Sequence, residues 1–333
     1  MRRVIRFLVG ALLGLGALVG YLAFVGVDSV VSRATAIAPW AAAAVLALVV
    51  AEGLADAIGV WASIRPLGRG LSAGQSVQFA MAGDFFDTLS PAGPVSSEPI
   101  MARFIGVTTE TTYSEALGVR SVAKYVKSGA QLLVSTALGL LVLVGGTTPQ
   151  YVLLTLGGAV VGLVVLGGLL LYSRSLLSRL FVVVLTPVVA LVSSLYREEA
   201  HGRSVVVDAV ERFWERIVQF RTAPELLVLV ALGGVLEQLL TAAALWVALA
   251  GTGTTVALLP ILVVIPLPQV ASVVPIPGSI GAYDILLGGA LVAMTGAPAA
   301  GAAAAVLVVR TMTLPFGLSV GGVCVAFLRG WRP

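Results

Sequence analysis

Pro91-Ala92-Gly93-Pro94-Val95-Ser96-Ser97-Glu98 interrupts one long apolar stretch of this chain, and Pro275-Ile276-Pro277-Gly278-Ser279-Ile280-Gly281-Ala282-Tyr283-Asp284 interrupts another. In each, a carboxylate falls seven residues after a proline, Glu98 after Pro91 and Asp284 after Pro277. Hydrocarbon penalises unpaired backbone and charge, so such breaks persist only when buried in protein or lining a wet cavity. One break in each half of the chain is the sequence mark of a transporter-like binding site between two repeats.

The stretches around the breaks belong to a membrane. The chain has 333 residues, 59% of them hydrophobic and 11% charged, with a mean hydropathy of +1.05. A soluble domain is about a quarter charged. The net charge of +4 does not point to nucleic acid, because the basic residues lie between apolar spans, where they set orientation. The single cysteine, Cys324, reads as a small buried hydrophobe, and one thiol forms neither an internal disulfide nor a zinc site. His201 sits in a charged stretch and reads as a solvated loop residue. The N-terminus resembles a signal peptide, but its apolar run to Val27 exceeds the usual ~7–15 residues, so it reads as a retained first helix.

The expected fold is all-α, a single integral membrane domain over 1–333. Spans of about 20 apolar residues fall at 7–26, 37–61, 116–144, 151–172, 224–249, 257–274, 281–297 and 301–328, about eight in all. Residues 73–101 read as a re-entrant hairpin carrying the first break. Prolines interrupt the sixth span, so the sixth and seventh also read as half-helices meeting at the turn near 275–284. The two halves, 1–172 and 224–328, leave room for an inverted repeat. With the N-terminus in the cytoplasm, fourteen arginines fall inside and only Arg33 outside, which places both termini in the cytoplasm. Residues 174–221 are then a cytoplasmic or interfacial stretch. Its second half is amphipathic, fitting either the headgroup plane or a lid on the protein's own face.

Several charges are embedded in these spans. Arg120, Lys124 and Lys127 share one face at helical spacing, and Arg310 lies within the eighth span. Glu52 and Asp56 share a face, Asp84, Asp87 and Glu98 surround the first hairpin, and Glu237 lies beside Gln238. A mid-span charge costs about 2.5–3.5 kcal/mol. Two readings are open. The acids and bases pin helices together as ion pairs, the favoured reading for Glu52, Asp56 and Glu237. Alternatively, Arg103, Arg120, Lys124 and Arg310 hold an anion, for which a lipid phosphate is the natural candidate. The lysines also have stems long enough to snorkel. Pro91, Gly93, Pro277 and Gly278 make the breaks. Glu98 and Asp284 either cap the turns or carry a proton or cation. The pairs Gly10/Gly14, Gly16/Gly20 and Gly158/Gly162 suggest close helix packing.

Ser121-Val122-Ala123-Lys124 fits the Ser-x-x-Lys pattern, but on a membrane helix the match is chance. Nothing in the chain proposes an enzyme, a cofactor or a metal site.

At the second break the chain resembles the lysylphosphatidylglycerol synthase transmembrane-domain family, flippase-like membrane domains. The family's late motif, Pro-x-Pro-Gly-Gly-x-Gly-x-x-Glu, is met by Pro275 to Asp284, with Ser279 for the second glycine and Asp284 for the glutamate. The early motif resembles Pro91 through Ser97-Glu98, with Met101 where the family arginine falls and Arg103 as the nearest arginine. Gly296-Ala297-Pro298 before an alanine-rich span also fits. The resemblance covers nearly the whole chain. It implies a multi-span domain that moves lipids between leaflets. In the synthases that domain precedes an aminoacyl-transferase domain, which this chain lacks, so synthesis of lysyl lipid from charged tRNA is not expected.

The resulting expectation is a flippase-like protein of the cell membrane that takes a phosphate-bearing lipid. Its partners are anionic or phosphate-bearing membrane lipids, not nucleic acid, and self-association stays open. An ion-coupled small-solute transporter and a non-transporting scaffold are the alternatives.

Overall fold

The structure, a computed structural model, describes residues 2–89, 93–144, 150–172, 223–269 and 279–329. It is helical, with no strand among the described residues. The helices are α1 (Arg2–Val25), α2 (Val27–Thr35), α3 (Pro39–Ile64), α4 (Ala73–Leu89), α5 (Gly93–Thr109), α6 (Tyr113–Val144), α7 (Gln150–Tyr172), α8 (Pro224–Gly251), α9 (Leu258–Val264), α10 (Ala282–Thr295), α11 (Ala299–Phe316) and α12 (Gly322–Ala326). A π-helical turn, Gly317–Gly321, joins the last two.

Local chemistry sets the helix starts. Pro39 and Pro224 open α3 and α8, where a missing N–H costs nothing. At α4, the Gln75 amide N–H donates to Ser72 Oγ at 3.3 Å, and the Ser72 N–H donates to Gln75 Oε1 at 3.0 Å. Thr112 and Glu115 make the same reciprocal pair at α6. These are capping boxes, each satisfying two orphan donors. Pro315 removes a backbone donor inside α11, and the π turn follows directly.

Four helices among the described residues are long and apolar enough to cross a membrane: Pro39–Ile64, Tyr113–Val142, Pro224–Gly251 and Ala299–Ala326. A fifth is counted if α1 and α2, bent by 96° at Gly26, form one span. The sequence count of eight is therefore approximate. The expected span 257–274 contains a seven-residue helix, α9, and 281–297 a fourteen-residue one, α10. Neither reaches the ~20 residues a crossing needs. The Pro277-Gly278 turn at which they were expected to meet as half-helices lies outside the described residues. The stretch 73–101, expected as a re-entrant hairpin, falls on α4 and α5, which pack on each other. The amphipathic reading of 174–221 lies outside the described residues.

Two apolar clusters hold the bundle. One joins α3, α8, α9, α10 and α11 through residues such as Val45, Leu245, Ile261, Leu291 and Val306. The other joins α3, α4, α5 and α6 through Val60, Phe79, Met101, Ile105 and Val119. Large apolar side chains cover the outside, among them Leu133, Leu141, Leu232, Val323 and Phe327. Such a surface is unfavourable in water and natural in lipid.

Close approach is carried by α8. Gly233 packs on the backbone of α3, where a Cβ would lie 3.2 Å from the Gly59 nitrogen. At Gly234 a Cβ would lie 2.6 Å from Lys127 Cγ. These two positions let α3, α6 and α8 meet with room for one lysine between them. Of the glycines singled out in the sequence, Gly14 is buried, with its carbonyl against Gly281, and four others behave differently. A Cβ on Gly16, Gly20, Gly158 or Gly162 would meet nothing within 4 Å among the described residues. Small size alone did not make them contact points, because they face outward here.

Candidate functional site: a charged cavity inside the bundle

Between the two apolar clusters lies a cavity of about 610 Å³, lined from α3, α4, α5, α6, α8, α10 and α11. The basic stripe of α6 faces it, as the helical spacing predicts. Arg120, Lys124 and Lys127 all line the cavity, and Arg310 enters from α11. Six carboxylates line it as well: Glu52, Asp56, Asp84, Asp87, Glu98 and Glu237.

Each of the four cations is held by an acid. Arg120 donates Nε to Glu98 Oε2 and Nη2 to Glu98 Oε1, both at 2.7 Å. Lys124 Nζ lies 3.3 Å from Glu98 Oε1 and 3.8 Å from Asp87 Oδ2. Ser97 donates its hydroxyl to Asp87 across the hairpin. Lys127 Nζ lies 2.7 Å from Asp56 Oδ1 and also bridges to Glu237, so one lysine joins α3, α6 and α8. Arg310 Nε is 2.9 Å from Asp284 Oδ1, and its guanidinium carbon stands 5.1 Å from the Tyr283 ring centroid, a cation–π distance.

Lys124 differs from the other three cations. Its side chain is 36% exposed, more than that of Arg120, Lys127 or Arg310, and its contacts to the two acids are longer.

Glu98 and Asp284 occupy equivalent positions in the two breaks, and both meet an arginine. Asp284, 4% exposed, also accepts the Gly281 N–H at 2.8 Å, so it caps α10 while it binds Arg310. The turn before it needs a left-handed backbone. Gly281 has φ 82 and Ser279 has φ 51. A Cβ on Gly281 would also strike the Gly14 carbonyl oxygen of α1. Ser279 stands where the related motif has glycine, and there the serine pays a conformational penalty that glycine avoids.

Of the other expected site residues, Arg103 is exposed on α5 and does not line the cavity. Gly93 is the first residue of α5. Pro91, Pro277 and Gly278 lie outside the described residues. Of the three acids favoured as ion-pair pins, Asp56 and Glu237 both hold Lys127. Glu52 makes no side-chain hydrogen bond or salt bridge among the described residues.

Sequence reasoning passed over a neutral wall of the cavity. Gln131 Nε2 donates to the Gly234 carbonyl at 2.9 Å. Gln238 Nε2 donates to Ser135 Oγ and the Leu262 carbonyl, each at 2.8 Å. Gln269 Nε2 donates to Gln131 Oε1 at 3.1 Å. Glutamine is costly on a lipid face, so its presence in a span was the available signal.

Over residues 4–321 the chain matches the family described as the lysylphosphatidylglycerol synthase TM region. The chain belongs to this family. No curated protein and no solved structure matches it. Membership makes it a multi-pass membrane protein related to lipid handling, in keeping with its long apolar helices.

Proposed function

We propose that this chain moves a phosphate-bearing lipid between membrane leaflets, passing the headgroup through the charged cavity while the acyl chains stay in lipid. The observation that carries this reading is a cavity of about 610 Å³ inside a membrane bundle, lined by Arg120, Lys124 and Arg310. Its size falls within the ~300–1,000 Å³ of small-molecule sites, enough for a headgroup. Lys124 is the first contact for the phosphate, because its present partners are the most loosely held. Arg120 and Arg310 support the site from fixed ion pairs. We assign the protein no covalent chemistry and no cofactor. The arginine asymmetry supports a cell-membrane location with both termini cytoplasmic.

The cavity volume also suits a water-soluble solute, so an ion-coupled solute transporter is the second reading. Reconstitution into phosphatidylglycerol–phosphatidylcholine vesicles, with a fluorescent phosphatidylglycerol as probe, separates the two. Wild type is expected to exchange the probe between leaflets. Lys124→Ala is expected to slow exchange about tenfold or more, the loss of one charge-assisted hydrogen bond. Equal rates for wild type, Lys124→Ala and protein-free vesicles would refute the lipid reading.

A further inference from the structure

The cavity wall carries six carboxylates and four cations. Arg120, Lys124 and Lys127 are engaged by Glu98, Asp87, Asp56 and Glu237, and Arg310 by Asp284. Glu52 of α3 and Asp84 of α4 are left, facing the same space, with no salt bridge or side-chain hydrogen bond among the described residues. A third acceptor on this wall is also open. Gln238 is 1% exposed, its Nε2 is committed to Ser135 and Leu262, and its Oε1 has no hydrogen-bond partner among the described residues. The unused valences here are acceptors, while each cavity cation is already bound to a carboxylate. A wall of this kind is complementary to a positively charged hydrogen.

We propose that Glu52 and Asp84 are a proton-binding pair whose protonation is coupled to occupancy of the cavity. Bulk water supplies the protons through the cavity and receives them back; no bond other than O–H forms or breaks. The titratable groups within electrostatic reach of the pair are Asp56 on α3, Asp87 on α4, Lys127 on α6, Glu237 on α8 and the neutral phenol of Tyr283 on α10. Glu98, Arg120, Lys124 and Arg310 complete the wall. Protons on Glu52 and Asp84 bring this set close to charge balance. An anion entering at Lys124 and protons on the pair attract one another, so by linkage each promotes binding of the other. Glu98 and Asp284 are less suited to the task, because each is held by an arginine. The inference rests on the cavity and stands whether the occupant is a lipid phosphate or another anion.

The test is infrared spectroscopy of the full-length detergent-purified protein from pH 5 to 8. The carbonyl stretch of a neutral carboxylic acid separates it from ionised carboxylates. Wild type is expected to show a neutral-acid band that weakens as the pH is raised. The band should shrink in Glu52→Gln and in Asp84→Asn, and vanish in the double variant. The single variants keep the test open if the double variant does not fold. In phosphatidylglycerol–phosphatidylcholine vesicles, exchange of the labelled lipid should respond several-fold to an imposed pH gradient in wild type but not in the single variants. A wild type with no neutral-acid band, or a band that survives both substitutions, overturns the proposal. So does a band abolished by sodium at constant pH, which assigns the pair to a metal cation. The expected band behaviour without any lipid exchange supports the proton pair and refutes the lipid reading alone.

Discussion

Glu98 receives two parallel hydrogen bonds from Arg120, Nε to Oε2 and Nη2 to Oε1, each 2.7 Å long. This bidentate pair ties the first helix break to the basic stripe of α6, and it is largely buried. Removing one partner of a buried pair leaves the other uncompensated. Arg120→Ala or Glu98→Ala is therefore expected to cost about 3–5 kcal/mol. The double variant should cost less than the sum of the single changes, because neither charge is then stranded. Arg120→Lys should recover only part of the stability, since an ammonium cannot reproduce the fork. Thermal unfolding in detergent checks all three.

Lys124 should behave differently. Its contacts are long and its side chain is more exposed than those of the other cavity cations. Lys124→Ala is expected to change stability by no more than about 1 kcal/mol. A large loss of stability would show that Lys124 is a structural pin rather than a contact for ligand.

The α3–α6–α8 junction predicts a contrast between glycines. Gly234→Ala places a methyl group 2.6 Å from Lys127 Cγ. It is expected to destabilise by about 1–3 kcal/mol through overpacking. Gly158→Ala meets nothing within 4 Å among the described residues and should shift stability by no more than about 1 kcal/mol. Melting temperatures of the two variants decide this. Equal shifts would mean that Lys127 is free to move aside.

The second break predicts a gain. Ser279 holds φ 51, a conformation costing a non-glycine residue about 1–2 kcal/mol. Ser279→Gly should recover about 1 kcal/mol, less any entropy lost by adding a glycine. Gly281→Ala should destabilise strongly, because it combines positive φ with a clash against the Gly14 carbonyl. A Ser279→Gly protein no more stable than wild type would mean that the serine makes a compensating contact.

Asp284 and Arg310 give a fifth test. Asp284→Asn keeps an acceptor for the Gly281 N–H but leaves Arg310 without its carboxylate. It should therefore cost about as much as the loss of one member of any buried pair, roughly 3–5 kcal/mol. Asp284→Glu keeps the charge but changes the reach, so a smaller loss is expected. Comparing the two in the same unfolding assay separates the ion pair from the cap.

Much of this organisation is legible in the residues. Hydropathy marked the spans that became α3, α6, α8 and α11, because apolar length is a local property. Spacing put Arg120, Lys124 and Lys127 on one face, because a helix repeats every ~3.6 residues. Prolines and glycines marked α9 and α10 as short, because they remove donors or require unusual dihedrals. Gly14 does pack closely, against Gly281, whereas Gly16, Gly20, Gly158 and Gly162 meet no neighbour among the described residues, since a small side chain permits close packing without requiring it.

By itself, then, the order of residues determined a helical membrane protein with two broken segments and a basic stripe. Tertiary structure alone decided which acid answers which base, that Glu52 and Asp84 go unanswered among the described residues, and that the stripe faces a hollow. The reason is range. Hydropathy and helical phase act over a few turns, whereas Arg120 finds Glu98 across 22 positions and Lys127 finds Asp56 across 71. Those meetings depend on how helices pack, and packing is settled by contacts that no local stretch of sequence contains.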